Sequence, residues 1–553
     1  MKQLLLSVIA ALLILLTSSP TAGQSPSQQI QKADQLVKAH DQGQGPGLAI
    51  TVKQNGRTLY KKQQGLANLE HQIPISDSTV FLVGSISKQF TTFSILLLEQ
   101  EGKLSIDDPI MRYLPELKDL PYSISVRQLA NHTSGFRNNY DLNNLRGRRD
   151  EELIGQSEMV ALLLRQKGLN FKPGKRFQYS NAGYVLLAEI VSRVSGLSFS
   201  TFVQERILSP LGMRSSLFLE DPGKLVSNKA DSYVRRGEGF HYLPMNRSIV
   251  GSTGLYTTSE DLSKWAQNYD SFLVGSAALV AKMAQPSLLN SGEKIPYGLG
   301  LETKMYRGVT VEFHGGGDAG FRAYLLRVPE YKFTVAITGN YEAFNPLNLA
   351  YGMIDIFLAD KLEQRSEIAP QSYTTKELEL FTGDYQVFPG LYITIFANND
   401  TLYFKGYGSE GGLALPPLAE SKAFEFPHRP HSKIVFSDQG LRWHFSDFSY
   451  PGKRVMLSPP TYDKKALGEY CGTFASEELK TRYTFVQRPE GLFATHAFNP
   501  DIRFRPIATD TFISDESYFG RVEFKRDAQG QITHCLISGQ KAYQLFFGKT
   551  NCP

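Results

Sequence analysis

Cysteine and tryptophan are almost missing from this 553-residue chain, with three of the first and two of the second. Cys471, Cys535 and Cys552 all lie beyond residue 470, too few and too bunched for a disulfide framework. One bridge and three free thiols both stay open, because spacing does not reveal connectivity. An excess of one charge is lacking as well: 59 Lys and Arg face 54 Asp and Glu, a net charge of +5, which leaves no electrostatic footprint for nucleic acid. His428 and His431 are separated by Arg429-Pro430, with no acidic or cysteine cluster nearby, so neither a metal nor another cofactor is expected. Long apolar runs are scarce. The run Leu4–Leu16 is short of the ~20 residues that span a bilayer. It follows Lys2 and precedes the small and polar residues from Thr17 to Gly23. This is the pattern of a cleaved signal peptide, residues 1–23, and implies a periplasmic or secreted protein with no transmembrane anchor when mature.

What is present is globular: 41% hydrophobic, 20% charged and 12% aromatic residues, over a length that calls for several domains. From residue 24 to 365 strand-like and helix-like segments mix. Gly47–Lys53 and Arg57–Tyr60 flank Asn55-Gly56, a hairpin signal. Apolar residues recur at helical spacing in 87–101, 183–195 and 349–362, and strand-like runs return at 309–313, 324–328 and 333–338. Strands at both ends enclosing helices predict an α+β domain whose sheet is closed by its own chain termini. Beyond Ser366–Ser372, which reads as a linker, helical periodicity fades. Leu380–Tyr385 resembles Glu469–Phe474, and Asp400–Tyr403 resembles Glu490–Phe493. Both pairs are in one register, which predicts two β-barrel-like repeats, 373–460 and 461–553.

Three short motifs could carry chemistry. Ser85-Ile-Ser-Lys88 fits S-x-x-K. Ser291–Lys294 and Ser538–Lys541 fit it equally well but sit in polar turns, whereas Ser85 opens a long apolar helix that places Lys88 one turn on, on the same face. A serine there has a helix N-terminus beneath it and an amine able to take its proton. Tyr179-Ser-Asn181 is the only Y-x-N; a phenol of ordinary pKa ~10 is a poor base unless an ammonium such as Lys88 favours its phenolate. Asn181 offers a donor and an acceptor to a substrate amide or to Lys88. His314-Gly315-Gly316-Gly317 is the only H-x-G, and its glycines would let a substrate backbone approach closely.

In this order the three motifs resemble those of the class C β-lactamase and penicillin-binding-protein superfamily of serine hydrolases. Gln128–Phe136, Leu208–Met213, Gly254–Leu262 and Tyr297–Gly300 add further matches. The resemblance implies a β-lactamase/transpeptidase-like domain, with Ser85, Lys88 and Tyr179 catalytic. It further implies that Asn181, His314, Gly315, Gly316 and Gly317 bind substrate and that the backbone N–H groups of Ser85 and Gly317 form the oxyanion hole. Lys88 and Tyr179 would share the proton duty, and Tyr179 would activate water for deacylation. The classical third motif begins with lysine, which pairs with a substrate carboxylate; His314 here is similar instead to D-aminopeptidases and D-amino-acid amidases. The three-part plan, with trailing lipocalin-like barrels, also resembles D-aminopeptidases. The partner expected is a small-molecule or peptide substrate, cell-wall-derived compounds included. Rival expectations are a β-lactamase or D,D-carboxypeptidase, and a non-catalytic penicillin-binding sensor or scaffold.

Overall fold

The computed structural model describes residues 25–148, 152–364, 369–426, 432–445 and 448–550. The signal-peptide segment, His428, His431 and Cys552 lie outside them.

Helix α1 (Pro26–Lys38) starts at a capping box in which Ser25 and Gln28 satisfy each other's backbone N–H. It leads into the hairpin of β1 (Leu48–Gln54) and β2 (Arg57–Gln64). Asn55 and Gly56 turn that hairpin with φ of 49° and 78°, as a two-residue turn matched to strand twist requires. Helices α2 (Ser87–Gln100), α3 (Asn181–Ser195) and α4 (Ser259–Ser271) come next. The chain then returns through β3 (Glu302–Tyr306), β4 (Val309–Asp318), β5 (Phe321–Val328), β6 (Phe333–Gly339) and α5 (Pro346–Phe357).

The strands form one antiparallel sheet in the order β3-β4-β5-β6-β1-β2. Leu48 pairs with Gly339 and Gln54 with Phe333, so the first strand closes against the last. Val37, Ile50, Val335, Leu349 and Ile354 belong to one cluster on the face that α1 and α5 cover. On the other side Thr51 bonds Ser259 and Lys53 pairs with Glu260 of α4. With both faces covered, β1 and β6 are buried almost throughout and show little in-out alternation. Helix α2 is central and buried nearly all round, its polar side chains included: Phe90 stacks on Trp265 of α4 at 4.1 Å, and the Trp265 indole N–H donates to Gln89.

Two eight-stranded antiparallel β units follow. In the first, strands β7 (Gly383–Phe388), β8 (Leu391–Asn398), β9 (Thr401–Gly406), β10 (Leu413–Leu415), β11 (Ala423–Glu425), β12 (Lys433–Ser437), β13 (Gly440–Phe445) and β14 (Phe448–Val455) are ordered β10-β9-β8-β7-β14-β13-β12-β11. The end strands meet only through a Pro417–Phe424 bridge, so the barrel is nearly closed. In the second, β15 (Gly472–Ser476), β16 (Thr481–Arg488), β17 (Gly491–Thr495), β18 (Ile502–Ala508), β19 (Thr511–Ile513), β20 (Arg521–Arg526), β21 (Ile532–Ser538) and β22 (Leu545–Lys549) close fully. The repeated residues do the same job twice. Gly383 and Gly472 begin the first strand of each barrel at φ of 140° and 137°. Tyr385 and Phe474 fill one interior position, and Leu402 and Leu492 another.

The second barrel shares its core with the helices of the first domain. Leu142 and Leu145, on the short helix Asn139–Leu145, belong to the same cluster as Phe519 and Tyr483. The last carbonyls of that helix, left without intrahelical donors, are met by the barrel: Asn499 donates to Asn144 O and Tyr483 to Leu145 O. Arg137 pairs with Glu478 at 2.8 Å while its Nε donates to Tyr543 O.

Some local expectations shift. The third helix begins at Pro346, with proline in its first turn, and stops at Phe357. Strand β4 runs straight through His314–Gly317 to Asp318 because Gly315, Gly316 and Gly317 pair with Tyr324, Ala323 and Arg322. Cys471 and Cys535 are both free, which excludes a bridge between them. The Arg137–Glu478 side chains are only 4% and 11% exposed, so Glu478→Ala leaves a buried guanidinium unpaired. A loss of about 3–5 kcal/mol in unfolding free energy is expected from urea titration.

Candidate active site

The nucleophile turn is built before the helix starts. Strand residues Phe81–Leu82 run to Gly84, whose φ of 51° bends the chain into a 3₁₀ turn, Gly84–Ile86, that feeds α2. Ser85 sits partly exposed on this turn and Lys88, one turn on, is 0% exposed. Strand β4 lies hard against the turn. A Cβ on Gly316 would fall 2.0 Å from Val83 O, and one on Gly84 2.7 Å from Gly317 N. These contacts bring the backbone of β4 at Gly316 and Gly317 directly against the turn that carries Ser85. Gly316 thus allows the close approach of β4 to the turn, while Gly315 has ordinary space around it.

Lys88 Nζ lies 2.9 Å from Ser85 Oγ, 2.8 Å from Asn181 Oδ1 and 2.8 Å from the carbonyl of Ser252. Two of these neighbours can only accept, so two N–H bonds are committed to them. The third position faces a hydroxyl that can donate or accept. Burial drives the Lys88 ammonium well below its ordinary range; Asp318 opposes this and Lys541 adds to it. A neutral amine has two N–H groups and one lone pair, the set needed to bond Asn181 and Ser252 and to receive the Ser85 proton.

Tyr179 is also bonded to Ser85, and Lys88 Nζ lies 4.9 Å from its ring centre. Burial pushes its phenol well above 10, and the Ser85 bond offsets only part of this. The expected phenolate gives way to a different sharing of protons: desolvation penalises both charged forms, so the phenol keeps its proton and Lys88 gives up its own more readily than a free lysine. Ser180 precedes α3 without a side-chain cap bond, Asn181 is its first residue, and the Asn181 N–H donates to Asn138 Oδ1.

His314 is 2% exposed. Its Nδ1 lies 2.6 Å from Gly315 O, an acceptor, and so carries the proton; Nε2 then accepts from the Tyr297 hydroxyl at 3.0 Å. Burial, reinforced by Lys88, pushes it down to about 3. It presents neither a charge nor a spare N–H to a substrate.

A cavity of about 230 Å³ opens over Ser85, lined by Asn181, Gly317, Tyr140, Arg247 and Asp318 among others. Asp318 accepts from Arg247 at 2.7 Å and from Thr253 at 3.1 Å. Ser85, Asn181 and Gly317 line this cavity, while Lys88, Tyr179, His314, Gly315 and Gly316 stand behind it. Several residues were not singled out as site residues from sequence. His132, inside the matched stretch Gln128–Phe136, stacks 4.2 Å from Tyr179 and accepts the Ser180 N–H. Lys541, dismissed as an accidental S-x-x-K, places Nζ 5.7 Å from the centre of the same ring.

A serine, an amine and a phenol thus meet where strand β4 crosses the nucleophile turn. The chain matches the Beta-lactamase family model over residues 33–351 and belongs to that family. It is 30% identical to the D-aminopeptidase of Gluconobacter oxydans over 298 residues, 54% of this chain and 56% of that protein, so the match spans little more than half the relative's length. It is 27% identical to Penicillin-binding protein 4* of Bacillus subtilis over 407 residues, 68% of this chain and 87% of that one. The structure of the octameric penicillin-binding protein homologue from Pyrococcus abyssi superposes with a TM-score of 0.54 at 24% identity, covering 76% and 97% of the two chains.

Two outcomes are expected. Gly316→Ala, which drives β4 off the nucleophile turn, lowers kcat/KM by ~10²–10³, whereas Gly315→Ala stays within a few-fold. For His314 the unfolded chain binds a proton below ~6.5 and the folded one only near 3. Its contribution to stability is therefore complete above ~6.5 and is lost as the pH falls toward 3. His132, lowered mainly by burial, acts in the same direction. The melting temperature should drop between pH 7 and 4, less steeply in His314→Gln.

Proposed function

We propose that this chain is an exported serine hydrolase that cleaves amide or ester bonds of small peptides or D-amino-acid derivatives through an acyl-Ser85 intermediate. The observation that carries the reading is the Lys88 amine, with two N–H bonds committed and its third position 2.9 Å from Ser85 Oγ. Ser85 Oγ attacks the carbonyl carbon as its proton passes to Lys88, and the N–H groups of Ser85 and Gly317 meet the developing oxyanion. The C–N bond then breaks. The leaving amine takes a proton from the Tyr179 hydroxyl, which Lys88 restores. Water, deprotonated through the same pair, releases the acyl group and returns Ser85.

The small cavity suits a single residue as the acyl part, and the D-aminopeptidase relative supports D-amino-acid substrates. Export rests on the pattern of residues 1–23. A D,D-carboxypeptidase is the second reading, favoured by likeness along most of a penicillin-binding protein. Against it stands His314, neutral and engaged at both nitrogens, where a carboxylate anchor would need a cation.

A fluorophosphonate probe should leave a covalent adduct on Ser85 in the wild type and none on Ser85→Ala, whose turnover falls by ~10³ or more. D-alanine amide should be cleaved at least tenfold faster than L-alanine amide, and nitrocefin more slowly than either. Equal labelling of both proteins removes Ser85 as nucleophile, and preferential turnover of nitrocefin or of a D-Ala-D-Ala peptide favours the second reading.

A further inference from the structure

The loop between β21 and β22 leaves the second barrel and enters the hydrolase domain. Its main chain is held from three places there. Lys541 N donates to Asp141 Oδ2 at 2.6 Å, and Lys541 O accepts from Asn138 N and Asn170 Nδ2, both at 2.9 Å. Tyr543 N donates to Asn170 Oδ1, Arg137 holds the carbonyls of Tyr543 and Gln544, and the Tyr543 hydroxyl bonds Gln178 next to Tyr179. The first barrel braces the base of the loop, where Gly390 packs against Ser538 and Gly539.

All of this docking is done by the backbone of Lys541 and by its neighbours. The Lys541 ammonium makes no hydrogen bond among the described residues and instead lies 5.7 Å from the Tyr179 ring centre, while Lys88 Nζ lies 4.9 Å from that centre. The two nitrogens are thus within ~11 Å of each other, where a fixed positive charge at protein-like dielectric disfavours a second proton by about tenfold. Asp318, the carboxylate that acts on Lys88, is tied to Arg247.

We propose that Lys541 is a positioning residue of the hydrolase: its fixed charge, delivered by the second barrel, biases Lys88 toward the neutral amine that accepts the Ser85 proton. This rests on Lys88 being the base in the proposed reaction. The groups facing Lys88 are Asp318 and His314 from β4, Tyr179 and Tyr184 at the start of α3, His132 from the preceding loop, and Lys541. Those facing Lys541 are Asp141, Tyr179, Lys88 and His132. Burial lowers Lys541 as well, and Asp141 opposes this; Asp141 is itself buried and raised toward its neutral form, so it cancels the Lys541 charge only in part. Burial remains the largest influence on Lys88, and Lys541 acts in the same direction.

The test uses the full-length chain and two readouts. Lys541→Met keeps every backbone contact of the loop. The acid limb of kcat/KM against pH, set by the loss of a proton from Lys88, should move up by about one unit, giving about tenfold lower kcat/KM at any pH below the limb. Lys541→Arg, which keeps the charge, should restore the wild-type limb. The Lys88 Nζ titration, followed by ¹⁵N NMR and assigned with Lys88→Arg, should shift up by the same amount. An unmoved Lys88 titration in Lys541→Met overturns the proposal, as does a pH-independent loss that Lys541→Arg fails to rescue. Because the NMR titration needs no turnover, it separates failure of this proposal from failure of the hydrolase reading, which the Ser85 adduct decides.

Discussion

A lysine amine sealed under the nucleophile, with no carboxylate of its own, is the constraint around which this site is arranged. Lys88 is fully buried and its hydrogen-bonding neighbours are an amide oxygen, a main-chain carbonyl and a hydroxyl. None of them is an anion, so the charged form has no ion-pair partner to offset its desolvation. Three segments must meet to produce this: α2 carries the lysine, α3 begins with Asn181, and the turn at Ser252 supplies the carbonyl. The burial of α2 on nearly every side follows from the same requirement, since only a covered helix can keep the amine dry.

The same logic extends to the phenol and the imidazole beside it. Tyr179 and His314 are each held in their neutral forms, one by burial and the other by burial reinforced by Lys88. A site assembled from neutral groups moves protons along short bonds without first separating charge. Charged groups surround this set: Arg247 with Asp318 at the cavity, and Lys541 on the barrel loop.

The barrels are part of the catalytic domain's structure rather than appendages. The second barrel satisfies the carbonyl end of the short helix Asn139–Leu145 and pairs with a buried arginine. It also continues the helical core. Asn138, which precedes that helix, bonds both Asn181 and the Lys541 loop, so docking of the barrel and placement of the α3 start share a residue.

By itself the sequence determined what local spacing dictates. The Asn-Gly hairpin, the sheet closed by its termini, Lys88 one helical turn from Ser85 and the register of the two barrels all follow from patterns within a few residues or from repetition. Tertiary structure decided what depends on burial and on distant backbone. The ionisation of Lys88 and Tyr179 is set by desolvation, which no short motif encodes. Gly316 is required by a carbonyl at Val83, and His314 is neutral because it is buried. Lys541 carries the same short pattern as Ser291–Lys294 and reaches the site only because a barrel more than 300 residues downstream of Tyr179 folds its loop against Asn138 and Asn170.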